Sequence, residues 1–215
     1  EKNKVPLTTE APQNNFDLFV VASYGKIIKK EAIELPKFGT LNIHPSLLPR
    51  HRGSSPIQTA ILDDDKETGV SIILLDEEMD HGPILSQKII MIENKNYTEL
   101  RNELAGVGAE TLAEVMPKWI TGEIKAKPQA HTKATFTKKI EKSQGEISLD
   151  DNPEANFRKF RAYSYWPGIY FFDSNNRRIK ITDATLENGN FLIKKVVPEG
   201  RVEMALEDWK RGLGN

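Results

Sequence analysis

Apolar positions first come in a run. Phe16 to Ser23 (FDLFVVAS) is almost continuously hydrophobic, the pattern of a β-strand buried on both faces. Lys26 to Pro36 (KIIKKEAIELP) carries Ile27, Ile28, Ala32, Ile33 and Leu35 at roughly helical spacing and stops at proline. Gly39 to His44 (GTLNIH) then reads as a second strand. Strand, helix, strand within this length predicts a βαβ unit and a parallel sheet. Ser55 to Asp64 reads as a helix, with Ser55 as N-cap and Pro56 in its first position. Thr68–Asp76 (TGVSIILLD) and Gly82–Ile92 (GPILSQKIIMI) are the next strands. Tyr97–Ile120 is the longest helical pattern, with Thr98 as its expected cap.

The pattern then changes. Residues 121–146 are polar and lysine-rich, without sustained periodicity, and read as a linker crossing a surface. Asn152–Gly168 reads as a capped helix ending at Pro167-Gly168. Residues 169–197 hold three short strands divided by SNN and ENGN turns. The expected layout is an α/β domain over residues 1–122, a linker over 123–135 and a small β-rich domain over 136–215.

Composition narrows the class. The 215 residues include no cysteine, which excludes disulfides and thiolate metal sites. No apolar run reaches the roughly 20 residues of a membrane helix, and the polar start lacks the apolar core of a signal peptide. A cytoplasmic monomer is the expectation. The formal net charge is −1, unlike that of a generally basic nucleic-acid binder. The charge is uneven: residues 1–132 hold 15 Lys and Arg against 19 Asp and Glu, and residues 133–215 hold 15 against 12. A basic strip in the second part is permitted; so is ordinary surface charge.

Candidate chemistry gathers at the second strand. Residues two apart on a strand share a face, so Asn42 and His44 point the same way with Ile43 behind them. Asp80 follows in the loop DEEMDHGPIL. If both strands ran parallel, their loops would open at the same carboxyl edge, where α/β sheets bind ligands. An amide to stabilise an oxyanion, an imidazole to move protons and a carboxylate to orient it would suit acyl-type transfer to an amine. On the residues alone a plainer reading stays open, in which His44 ends a strand, Asn42 fills a ladder position and Asp80 makes a turn. Ser46-Leu47-Leu48-Pro49 reads as a stiff, exposed, apolar loop suited to a flat ligand. Arg50, His51, Arg52, Arg158 and Arg161 are candidates for phosphate contact. His81 has at most a supporting role, and His131 falls in the linker. No metal-ligand cluster is present.

Two stretches, LNIHPSLLPRHRGSSPIQTAIL and ETGVSIILLDEEMDHGPIL, closely resemble the folate-dependent formyltransferase family. The resemblance implies catalytic roles for Asn42, His44 and Asp80 and a folate-binding role for Ser46, Leu47, Leu48 and Pro49. RGSSPIQ, FRAYSYWPGIYF and the tail VVPEGRVEMALEDWKRG are similar to the branch whose acceptor is methionyl-tRNA. It therefore implies a partial Rossmann-like domain with a mostly parallel sheet and a small barrel-like (OB-like) C-terminal domain. The implied donor is 10-formyltetrahydrofolate, and the implied acceptor is the methionyl amine of initiator tRNA. The implied tRNA contacts are Arg50, Arg52, Arg158 and Arg161. The first two βα units of the family are expected to be absent before Lys4. Sugar-nucleotide N-formyl transfer and a noncatalytic folate- or RNA-binding module are the alternatives.

Overall fold

The structure is a computed structural model in which residues 16–26 and 28–212 are described; Ile27 of the first expected helix lies outside them. The first sheet has the order β1-β2-β4-β5, with β1 Phe19–Ala22, β2 Thr40–His44, β4 Glu67–Leu74 and β5 Ile84–Met91. β1 runs parallel to β2, but β2–β4 and β4–β5 are antiparallel. The sheet is thus mixed, not mostly parallel, over the described residues. Hydrophobic periodicity reports which face is buried and is silent about strand direction. β1 also departs from expectation. Its residues alternate in burial, and Val20 is 45% exposed, because β1 lies at the edge of the described sheet.

The helices form where the sequence signals place them, but their ends and caps differ. α1 is only Lys30–Ile33, ending ahead of Pro36, and α2 spans Pro56–Leu62. Ser55 occupies the N-cap position of α2, but its hydroxyl donates to the Lys138 carbonyl instead of capping. α3 is Tyr97–Ile120, as the periodicity predicts. Its cap is Asn96, not Thr98. The Asn96 side chain accepts from the Thr98 and Glu99 amides, and Glu99 accepts in return from the Asn96 amide. Leu100, Leu104, Gly108, Thr111 and Val115 form the buried stripe of α3. Gly108 sits over β2, where a Cβ would lie 2.8 Å from Ile43 Cγ2. Ile43 therefore faces α3, and Asn42 and His44 face the other way.

The C-terminal part is α4 (Pro153–Ala162), a four-stranded meander and a short last helix. The strands are β7 Ile169–Phe172, β8 Arg178–Glu187, β9 Asn190–Pro198 and β10 Met204–Ala205; α5 is Leu206–Arg211. The strands pair antiparallel in sequence order. Asn152 caps α4 through the Ala155 amide, as expected from Asn-Pro. Ile169, Phe171, Ile179, Ile181 and Val196 are buried here, and their cluster is continuous with that of the first sheet. The segment read as a surface linker is docked. Lys127 bridges Ile84 through two 2.8 Å backbone bonds. A two-residue strand β3 (Arg52–Gly53) pairs with β6 (Phe136–Thr137). No described helix is long and apolar enough to cross a membrane.

Candidate active site

β2 ends at Pro45 and delivers Asn42 and His44 to one buried face, where they are 9% and 4% exposed. The Asn42 side chain makes no side-chain hydrogen bond to another described residue. His44 is held at both nitrogens. Nε2 lies 3.0 Å from the His51 carbonyl, which can only accept, so Nε2 carries a proton. Nδ1 faces Asp80 Oδ1 at 3.3 Å. The His51 backbone that supplies this carbonyl is itself fixed. Its amide donates to Thr135 Oγ1 at 2.8 Å, its ring meets Asp65 at 2.7 Å, and its φ is +58°.

Asp80 does not arrive by the expected route. β4 is antiparallel to β2, with Leu74 opposite Leu41 and Ser71 opposite His44. The end of β4 therefore lies three residues from His44, about 10 Å along the strand. The loop after β4 must fold back over the sheet to bring Asp80 to the imidazole. Asp80 takes a left-handed conformation, φ +52°, and its Oδ2 accepts the Gly53 amide at 2.7 Å. At Gly82 the loop presses so closely on β4 that a Cβ would stand 1.9 Å from the Leu74 carbonyl.

Burial opposes ionisation of Asp80, yet its carboxyl is held below the usual carboxylate range. His44, the Gly53 amide and the Arg52 charge together outweigh desolvation. A depressed folded-state value means that the stabilisation is fully present above the unfolded value of about 4 and is lost as pH falls through the lower folded one. The urea-unfolding midpoint of the unaltered chain should therefore exceed that of Asp80→Asn most above pH 5. The gap should narrow below pH 4. A gap independent of pH between 2 and 6 would remove the ionised Asp80 from the stability of this fold.

The Ser46–Pro49 loop is stiff but not exposed. Ser46 and Leu48 are 0% and 3% exposed, and only Leu47 and Pro49 keep partial access. Two side chains on the sheet cause this. Ser71 Oγ donates to the Ser46 carbonyl and accepts the Leu48 amide, and Gln87 Nε2 donates to the Leu48 carbonyl. Leu47 rests on Gly69, where a Cβ would approach to 2.6 Å.

The four arginines separate. Arg50 keeps an exposed side chain beside Asp65, and Arg158 is half-buried on α4. Arg52 is 3% exposed and donates to Gln129 Oε1 and to His131 Nδ1, so its guanidinium is spent inside the protein. Arg161 is 7% exposed and donates to the Glu93 carbonyl. Burial lowers its pKa from the ordinary guanidinium value. His131 is itself exposed but packs against this cluster: it stacks on His81 at 4.0 Å between ring centroids, and His81 Nδ1 bonds Asp76 at 2.7 Å. The residues that pattern reading missed are Gly53, Ser71, Gln87 and Gln129. They act through backbone groups or from distant segments, and nothing in their local spacing marks them.

Asn42, His44 and Asp80 thus converge on one buried face, with the imidazole between the His51 carbonyl and the Asp80 carboxylate. A profile described as "Formyl transferase" matches residues 3–116, and one described as "Formyl transferase, C-terminal domain" matches residues 139–195. The chain belongs to the formyl transferase family, enzymes that transfer formyl groups. A "Methionyl-tRNA formyltransferase" of Thermus thermophilus is 36% identical over 221 residues, covering 92% of this chain and 71% of that protein. Among solved structures, HypX from Aquifex aeolicus in complex with tetrahydrofolic acid has a TM-score of 0.72 at 19% identity. It covers 92% of this chain and 38% of that one. A sugar N-formyltransferase from a Shewanella species has a TM-score of 0.64 at 22% identity, covering 77% of this chain and 68% of that one. At these identities the two structures speak for the fold alone.

Proposed function

We propose that this chain moves the formyl group of 10-formyltetrahydrofolate onto the α-amine of initiator methionyl-tRNA. The observation that carries the reading is the buried set of Asn42, His44 and Asp80, with His44 Nδ1 facing the carboxylate. The 36% identity to the Thermus protein, which reaches across both parts of the chain, favours this acceptor. The tetrahydrofolate bound by the HypX neighbour supports the donor class.

The folate supplies a formyl carbon on N10. In the transfer, a bond forms between that carbon and the acceptor nitrogen, the bond to N10 breaks, the amine gives up one proton and N10 gains one. Asn42 Nδ2–H donates to the carbonyl oxygen as it becomes an oxyanion. His44, held between the His51 carbonyl and Asp80, moves the proton from the amine to N10. Asp80, ionised and 3.3 Å away, stabilises the imidazolium in between. The partly exposed faces of Leu47 and Pro49 suit the flat rings of the donor. Arg50 and Arg158 retain the access that tRNA phosphates need, with the C-terminal part giving affinity and not chemistry.

The test supplies purified chain with 10-formyltetrahydrofolate and either methionyl-tRNA or an amino-sugar nucleotide. Formylmethionyl-tRNA as the sole product is expected. A formylated sugar instead would replace the acceptor. No product from either, with a folate analogue still bound, would support a noncatalytic module.

A further inference from the structure

We propose that Gln129 is a positioning residue that holds Asp80 against His44. Its kinetic consequence rests on the formyl-transfer reading; its geometry does not. Gln129 is 5% exposed and uses its whole amide. Nε2 donates to the carbonyls of Asp80 at 2.9 Å and Gly82 at 2.8 Å, and Oε1 accepts from Arg52 Nε at 3.2 Å and Nη2 at 2.6 Å. The orientation is forced. A guanidinium only donates and a carbonyl only accepts, so no flipped amide satisfies both sides.

The clamp answers a need set by the topology. The loop after β4 folds back across the sheet, and Asp80 sits at φ +52°, a left-handed conformation that Asp adopts more readily than most side chains but that still needs its loop held in place. Gln129 grips the backbone on both sides of His81. Arg52, anchored by Gln129, also lies over the Phe136 ring and donates to His131, which stacks on His81. Docking of the 123–135 segment does not itself require Gln129, because the Lys127–Ile84 bridge already ties it to β5. The side chain is placed to fix a loop whose one catalytic member is Asp80.

The test uses the whole chain with Gln129→Met, which keeps the shape and removes every hydrogen bond. Gln129→Glu keeps the acceptor for Arg52 but sets an oxygen against two carbonyls. Both should lower kcat on the order of 10²-fold, the cost of a misplaced catalytic group. KM for the folate should change little, because Asp80 acts on charge that grows during reaction. In an Asp80→Asn background, Gln129→Met should cost no more than about twofold further, since the group it positions is already disabled. Independently of turnover, the His44 ring resonances in Gln129→Met should move toward those of Asp80→Asn. Near-normal kcat, full additivity with Asp80→Asn or unmoved His44 resonances would overturn the clamp. If Gln129→Met fails to fold, Gln129→Glu carries the same readings. If the unaltered chain formylates no acceptor, the formyl-transfer reading falls, and the His44 resonances still decide the clamp.

Discussion

Replacing His44 with alanine lowers formyl transfer by a factor on the order of 10² to 10⁴, the range for losing a positioned acid–base group. The expectation follows from its two nitrogens. Nε2 faces the His51 carbonyl, and Nδ1 lies beside a carboxylate whose ionisation burial opposes and its partners favour. No other imidazole can substitute. His51 is turned toward Asp65, His81 toward Asp76, and His131 accepts from Arg52. The variant also leaves Asp80 with the Gly53 amide and the Arg52 charge but without the imidazole, so some stability is lost with the activity. Transfer should be measured below the unfolding transition, with circular dichroism confirming the fold. Near-full activity under those conditions would take His44 out of the mechanism.

The parts of this molecule that were legible in its sequence are those encoded locally. α3 announces itself by a 3.6-residue period, and α4 by Asn152-Pro153. Alternation along Thr40–His44 puts Asn42 and His44 on one face, and the structure keeps them there opposite Ile43. What failed depends on partners far away in the chain. The direction of β4 relative to β2 is decided by how the loops close, and no local pattern records it. Leu48 looks like a surface residue between two prolines until Ser71 and Gln87, 23 and 39 residues on, pull its backbone down. Arg52 reads as a phosphate ligand because a charged side chain is assumed to be solvated; its partner Gln129 is 77 residues away in a lysine-rich stretch without periodicity. On the residues alone, the expectation that Asp80 meets His44 rests on a parallel geometry that does not hold, since β2 and β4 are antiparallel and the loop must turn back to reach His44.

Asn42→Ala separates catalysis from stability more cleanly than any change at His44. Truncating Asn42 strands no side-chain partner among the described residues, and β2 keeps its backbone ladder to β1 and β4. The unfolding midpoint should therefore stay close to that of the unaltered chain. Turnover should not. In the proposed reaction the amide meets charge that exists only once the formyl carbonyl has been attacked. The loss of one such donor costs about 2.7–4 kcal/mol, or roughly 10² to 10³ in kcat. A ground-state carbonyl gains far less from the same bond, so KM for the folate should shift little. Steady-state kinetics against folate concentration, paired with urea unfolding, reads both quantities on one preparation. Weakened folate binding with unaltered turnover would make Asn42 a binding residue. A lowered unfolding midpoint in step with lost activity would make it a structural one.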